Sequence, residues 1–409
     1  MFRKIIIPVL LLSLGFLVLT ASASDGNDKV KAIVLFKDKP APDDIVYLER
    51  QGGAVKYNYN IINAVALEIP EKAYNKINET CLKREEATGR QPAICEKISN
   101  IELDQQVHLI GKPDNKESGK PAPSQPDQVM PWGIKRIDAE PSWGKSTGNG
   151  TKVAVVDTGI DFQHPDLAGN VKGGVSFVKR SKGYRDDNGH GTHVAGTIAA
   201  LNNEIGVVGV APDAWLYGVK VLDRKGSGWL SDVIAGIDWS TANKMQVITM
   251  SLGSSGSSNS LEMAVDNAYN QGIVIVAAAG NDYGGTVSYP ARYDSVIAVT
   301  ATDSGDNIAS FSNTGQEAEL AAPGVGIYST YKGGSYATLS GTSMATPHVT
   351  GTVALLLATS PVSHDKNGDG IWNPLEVRTR LQETATDLGA TGWDIYYGFG
   401  LVNATAALS

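Results

Sequence analysis

Three short Gly/Thr-rich segments of this chain hold an aspartate, a histidine and a serine in that order. They are Asp157-Thr158-Gly159, His190-Gly191-Thr192-His193 and Gly341-Thr342-Ser343-Met344-Ala345-Thr346-Pro347. Together these residue types could perform nucleophilic catalysis. A serine hydroxyl is a weak nucleophile and needs an imidazole to take its proton. A carboxylate must hold that imidazole in the right tautomer and stabilise its charged form. Ser343 is the candidate nucleophile, His190 or His193 the base and Asp157 the candidate orienting carboxylate. Taken singly each segment is bland: Asp-Thr-Gly is usually a turn and also occurs in aspartic proteases, Gly-Thr-Ser is usually a loop, and a lone histidine is usually structural. Pro347, shortly after Ser343, is compatible with the first turns of a helix. The hydroxyl would then sit at a helix N-terminus, where developing negative charge is favoured.

The segments continue beyond these cores. The first runs from Lys152 to Asp161 and on through His164-Pro165-Asp166-Leu167, the second from Asp187 to Thr197, and the third to His348-Val349. In this extended form they resemble the subtilisin-like serine proteases, the subtilases, over about residues 127 to 409, with a weaker match over about 30 to 104. The order Asp, His, Ser separates them from chymotrypsin-like and α/β-hydrolase enzymes. The resemblance implies a secreted serine endopeptidase that cuts peptide bonds through an acyl-enzyme and is made as an autoprocessed zymogen. It gives the base to His190 rather than His193, with Asp161 and Asp187 as weaker rivals to Asp157. It makes Asn281, which ends Val276-Ala-Ala-Ala-Gly280-Asn281, a donor to the oxyanion along with the Ser343 N–H. Gly226-Ser227-Gly228 and Ser251-Leu252-Gly253 match segments that pair with an extended peptide by strand addition. Ala278, Ala279 and Gly280 would wall a primary pocket for apolar side chains, with Ser288 narrowing its floor. Leu230 and Val233 would line a pocket further upstream. Two other readings stay open: a catalytically inactive, calcium-dependent binding protein on the same fold, and a peptidase inhibitor acting through residues 29 to 110. The four intact positions speak against the first.

A separate pattern points to a metal. Asp365-Lys-Asn367-Gly-Asp369-Gly370-Ile371-Trp-Asn373-Pro-Leu-Glu376 fits an EF-hand loop, with oxygen ligands at positions 1, 3, 5 and 12 and glycine at 6. Ile371 would offer its carbonyl and Asn373 would act through water. Val353–Ala358 and Glu376–Ala385 are expected as the flanking helices. A typical subtilase has no such loop here. The resemblance implies a second calcium site at Leu201-Asn-Asn203-Glu-Ile205-Gly-Val207, using the Asn203 side chain and the carbonyls of Leu201, Ile205 and Val207. Asp166 and Gln128 match its remaining ligands, and an all-oxygen set suits the hard Ca²⁺ ion.

The elements that must position these groups can be read more coarsely. From Val129 onward apolar strands at Val153–Val156, Leu216–Val221, Gln246–Met250, Ile273–Ala277 and Val296–Thr300 alternate with helices starting near His190, Ser231, Leu261 and Ser343. This predicts an α/β fold: a three-layer parallel sheet with helices on both faces. Asp157 directly follows the first strand, at a carboxyl end where such folds carry their sites. Residues 24–110 predict a small ferredoxin-like α+β domain of βαββαβ order. It has strands at Lys31–Phe36, Val65–Pro70 and Ile98–Leu103 and helices at Asp43–Gly52 and Glu71–Glu79. It resembles the inhibitory propeptide of subtilases, and Cys81–Cys95 reads as an insertion before its last strand. Val107-His108-Leu109-Ile110 fits a tail lying in the cleft between Gly226–Gly228 and Ser251–Gly253. Ile110–Gly111 is then a candidate first cut; the alternative is one cut inside the Pro-rich linker 111–126. The catalytic domain is expected over 127–409, with the EF-hand-like loop at 365–376.

Bulk properties bound the remainder. Of 409 residues 42% are hydrophobic and 19% charged, so a packed core is expected. The net charge of −8 argues against a nucleic-acid partner. Residues 1–23 have a basic start at Arg3 and Lys4, an apolar run Ile5–Leu19 and Ala21-Ser22-Ala23, the pattern of a cleaved secretion signal. That run is shorter than the roughly 20 residues of a spanning helix, so an uncleaved anchor is the weaker reading. Cys81 and Cys95 are the only cysteines, and export would pair them in a disulfide. Polypeptide substrates, inhibition by the chain's own propeptide and a monomeric state with no stable membrane anchor complete the expectation.

Overall fold

The computed structural model describes residues 28–83, 92–110, 125–361 and 364–409. The expected signal segment, and the linker up to residue 124, lie outside the described residues. Among those described, no helix is long and apolar enough to cross a membrane.

The N-terminal unit is a four-stranded antiparallel sheet of β1 (Lys29–Phe36), β2 (Ala54–Asn58), β3 (Ala64–Pro70) and β4 (Ile98–Leu103), in the order β2-β3-β1-β4. Helices Pro42–Arg50 and Glu71–Ile77 supply the crossovers of the expected βαββαβ pattern. The continuous apolar run of β1 has a specific cause. Ala32, Val34 and Phe36 pack under the unit's own helices, around Leu48 and Ile77. Ile33 and Leu35, on the opposite face by the two-residue period of a strand, join the core of the C-terminal unit. Cys81 and Cys95 form a disulfide, linking the turn Asn78–Lys83 to the short helix Ile94–Lys97.

A short strand, β5 (Gln106–Leu109), leaves this unit and inserts between β9 (Ser227–Trp229) and β11 (Leu252–Gly253) of the next. The C-terminal unit is a seven-stranded sheet with every neighbouring pair parallel. Its strands are β6 (Lys152–Asp157), β7 (Val171–Ser176), β8 (Trp215–Lys220), β10 (Val247–Met250), β12 (Val274–Ala278), β13 (Ile297–Thr302) and β14 (Leu320–Pro323), in the order β14-β13-β12-β10-β6-β8-β7. Both faces are covered, as the apolar strands require. Val153 and Val155 face helices His190–Ala199 and Thr342–Leu357, while Ala154 and Val156 face helices Leu230–Ala242 and Asn259–Asn270. The result is the expected three-layer arrangement, with β6 near its centre and Asp157 as its last residue.

Candidate active site

The three segments converge at the carboxyl end of the sheet. Asp157 is held there by β6, and His190 is the first residue of its helix. The imidazole Nδ1 lies 2.9 Å from each carboxylate oxygen of Asp157. An ionised carboxylate only accepts hydrogen bonds, so Nδ1 carries the proton and Nε2 offers a lone pair. Nε2 is buried and has no partner among the described residues. His193, one turn further on, has Nε2 at 3.0 and 3.1 Å from the carbonyls of Ile327 and Ala337. Burial pushes its pKa down to about 3. Asp161 is also committed elsewhere, accepting the N–H groups of Gly333 and Gly334.

Ser343 is the second residue of the helix Thr342–Leu357. Its Oγ donates to the carbonyl oxygen of Ile110 at 2.6 Å, and Asn281 Nδ2 donates to the same oxygen at 3.0 Å. The Asn281 amide cannot turn freely, because Thr342 donates to its Oδ1 through both N–H (2.9 Å) and hydroxyl (3.0 Å). A side chain on Gly341 would bring a Cβ to 3.0 Å from Asn281 Nδ2, so glycine keeps this corner open. Pro347 lies in the second turn of the helix. It has no N–H for the Ser343 carbonyl four residues back, and the Ser251 hydroxyl donates to that carbonyl instead, at 3.2 Å.

The cleft is lined by backbone. In β5, Gln106, Val107 and His108 pair antiparallel with Trp229, Gly228 and Ser227. On the other side Leu109 and His108 pair with Leu252 and Gly253. Leu109 N–H donates to Gly226 O at 2.9 Å, and Ile110 N–H to Ser251 O at 3.4 Å. Val107 is buried in the same core as Leu230 and Val233. Ile110 lines a cavity of about 270 Å³ together with Gly253, Ser254, Gly280, Asn281 and Ser288. Of the three residues expected to wall a primary pocket, Gly280 lines this cavity, while Ala278, the last residue of β12, and Ala279 after it are fully buried.

Three residues that pattern reading passed over brace Asp157 and His190. The Thr158 N–H donates to Asp157 Oδ1 at 2.6 Å. The Thr158 hydroxyl donates to the buried Asp186 carboxylate (2.9 Å) and accepts the Gly191 N–H. Asp186 also accepts the N–H of Asn188, Gly189 and Thr192 and the Thr192 hydroxyl. It thereby caps the helix that begins with His190. Lys220, at the end of β8, is fully buried. Its ammonium gives its three protons to Thr158 O (2.6 Å), Asp187 Oδ1 (2.7 Å) and Leu222 O (2.8 Å). A lysine inside the apolar run Leu216–Val221 was the available signal.

The two candidate metal loops differ in construction. Gln128 Nε2 lies 2.9, 3.4 and 3.5 Å from Leu201 O, Val207 O and Asn203 Oδ1. Asp166 sits beside them, accepting from Asn203 Nδ2 and Val207 N–H, and Ile205 N–H donates to Asn203 Oδ1. Burial pushes the Asp166 carboxyl up to about 6. An amide turned by half a rotation would point Gln128 Oε1 at the same spot, completing an all-oxygen cluster. In the other loop, Asp365 accepts the N–H groups of Gly368, Asp369 and Gly370, and Asp369 that of Ile371. Asn373 is the N-cap of helix Pro374–Thr384, and Glu376 returns a bond to the Asn373 N–H. The exiting helix thus starts at position 10 of the loop, and the preceding helix ends at Leu357, within one residue of the expected Val353–Ala358 flank. Among the described residues no group of three or more His, Cys, Asp or Glu is gathered tightly enough to hold a metal. Either loop therefore depends on amide and carbonyl oxygens as well.

Comparison with known proteins agrees with this geometry. The profile of the subtilase family, peptidase family S8, matches residues 148–400. Subtilisin Savinase of Lederbergia lenta is 51% identical over 281 residues, covering 68% of this chain and 99% of that protein. The alkaline protease of Alkalihalobacillus alcalophilus is 51% identical over 281 residues, covering 68% of this chain and 70% of its own. Subtilisin E of Bacillus subtilis (strain 168) is 44% identical over 366 residues, 88% of this chain and 84% of that protein. A match covering 88% of this chain cannot omit most of the N-terminal unit.

Proposed function

The chain belongs to the subtilase family and is a serine endopeptidase, a hydrolase of peptide bonds, and from that premise we propose how its residues divide the work. Ser343 is the nucleophile. Its proton passes to His190 Nε2 as Oγ attacks the carbonyl carbon of the residue before the cut. Asp157 holds the imidazole and stabilises its charged form. The oxyanion receives hydrogen bonds from Asn281 Nδ2 and the Ser343 N–H at the helix N-terminus. His190 then gives the proton to the leaving amine, and water resolves the acyl-enzyme by the reverse route. The observation that carries this reading is the Ile110 carbonyl oxygen, held at once by Ser343 Oγ and Asn281 Nδ2. A fluorophosphonate probe tests it. Mass spectrometry of the labelled protein should find the adduct on Ser343, and an unlabelled Ser343 would leave the inactive binding-protein reading.

In this scheme Gly226–Gly228 and Ser251–Gly253 bind polypeptide substrates as an added strand, with an apolar side chain beside Gly280. Residues 24–110 are the inhibitory propeptide, Ile110–Gly111 is the first bond cut, and 127–409 the catalytic domain. The N-terminal signal pattern and the family support secretion, and a monomeric enzyme is part of the same reading. Calcium is the proposed cofactor. Gln128, Asp166, Leu201, Asn203, Ile205 and Val207 would hold one ion, and the converging oxygens around Gln128 fit it. Asp365, Asn367, Asp369, Ile371, Asn373 and Glu376 would hold another. Calcium there would supply cross-linking of loops and no chemistry at the cut bond.

A further inference from the structure

The two units meet at a cavity of about 270 Å³ whose chemistry the peptidase reaction does not use. Lys31 of the N-terminal unit holds its ammonium 3.3 Å above the centre of the Trp229 ring. Beside it Lys56 pairs with Asp232 at 2.7 Å, and Tyr57 donates its hydroxyl to the same carboxylate at 2.6 Å. Every one of these partners is contributed by the N-terminal unit. Asp232 lies in the first turn of helix Leu230–Ala242, where a negative charge is stabilised. Asp223 also lines the cavity. So does Lys179 of the same unit, which reaches Glu68 of the N-terminal unit at 3.7 Å. When the N-terminal unit departs, an indole face and two carboxylates remain against one lysine.

We infer that this is a subsite for a basic side chain, formed by the ring of Trp229 and the carboxylate of Asp232, that reads the fifth substrate residue upstream of the cut. The inference rests on the reading of Ile110 as the residue before the cut. Counting back from it, the fifth residue is Gln106, which pairs with Trp229 across β5 and β9 and lines this cavity. Lys31 and Lys56 occupy the site from the side. A lysine or arginine at the Gln106 position would enter along the substrate strand and make the same two interactions, cation over ring and cation to carboxylate. The N-terminal unit thus blocks the distal end of the cleft with the chemistry a preferred substrate would bring.

The test uses the full chain, produced and allowed to mature, with internally quenched peptides that differ only at the fifth upstream residue. Lys and Arg should exceed norleucine and citrulline by about 3- to 20-fold in kcat/KM. Glu should be the poorest, and added salt should narrow the gap. In Trp229→Leu and Asp232→Asn the Lys-to-norleucine ratio should fall toward one. Because the ratio is taken within one preparation, a loss of folded enzyme cancels. Product masses report the cut position separately. Cutting at the intended bond with a ratio near one, or a ratio that survives both substitutions, overturns the subsite. A cut displaced from that bond overturns the register assigned to Ile110, and the subsite with it.

Discussion

Two of the grips that the N-terminal unit has on the C-terminal unit work by different means. In the cleft the grip is main chain on main chain: β5 lies between β9 and β11, and only Val107 and Ile110 bury their side chains deeply. Over the helices the grip is side chain on helix end. The Asp104 carboxylate takes the N–H (2.9 Å) and hydroxyl (2.7 Å) of Ser231, at the start of helix Leu230–Ala242. Glu102 takes the hydroxyls of Ser258 (2.6 Å) and Ser260 (3.0 Å), at the start of helix Asn259–Asn270. The Tyr59 hydroxyl donates to Ser231 O, and Asn267 donates to Ile61 O. The first contact could be made by almost any extended peptide, so it competes directly with substrate. The second requires these particular residues. It should keep the unit in place after a cut at residue 110 has loosened the first.

The sharpest way to separate the grips is to stop the cut. Ser343→Ala should lower peptide hydrolysis on the order of 10⁵- to 10⁶-fold and leave the chain at full length, with both grips intact. Denaturing gels and product masses over time check this; a Ser343→Ala chain that still matures, other proteases excluded, contradicts it. Asn281→Ala should cost about 100- to 1000-fold in kcat with little change in KM, because its donor matters most once the carbonyl oxygen is charged. Next come the helix caps. Asp104→Ala or Glu102→Ala should each weaken retention of the cut N-terminal unit by roughly 10- to 100-fold, the value of a hydrogen bond to a charged group. The comparison variant His108→Ala, whose exposed ring lies 3.2 Å from Ser227 Oγ, should change retention less than about threefold. Equal effects from both would erase the distinction between the grips. The smallest effect is expected outside both. Asp365→Ala with Asp369→Ala should remove one calcium ion by calorimetric titration and lower the melting temperature in calcium by a few degrees. Retention of the N-terminal unit should not move.

What could be read in advance follows from where the constraints lie. β6, β10 and β12 are buried on both faces, so their apolar runs stand out unaided. Asp157, His190 and Ser343 sit in turns whose Gly and Thr neighbours have identifiable tasks, such as the Thr158 clamp and the open corner at Gly341. β2 and β7 are half-exposed and contain Lys56, Lys172 and two adjacent glycines, so no period marks them; pairing with β3 and β8 makes them strands. Asp186 looked like one acid among several in Arg185-Asp186-Asp187-Asn188. Its importance comes from five donors reaching it from two segments, a fact of three dimensions. The EF-hand-like loop is the opposite case, because its ligand spacing is local. Its incoming helix was equally legible: Val353–Ala358 was expected, and the helix Thr342–Leu357 ends there with Ala358 as its C-cap.

The disulfide has a consequence for the life of the protein. Both of its sulfurs belong to the unit that the proposed maturation discards, and residues 125–409 contain no cysteine. Reducing agents would therefore act on the guardian and never on the enzyme. A precursor assembled without its cross-link would carry a looser inhibitor, whereas the released peptidase would be indifferent to glutathione and to thiol-directed mercurials. A single cysteine engineered anywhere in the released enzyme would be the lone thiol of the molecule, free of any native partner with which to mispair.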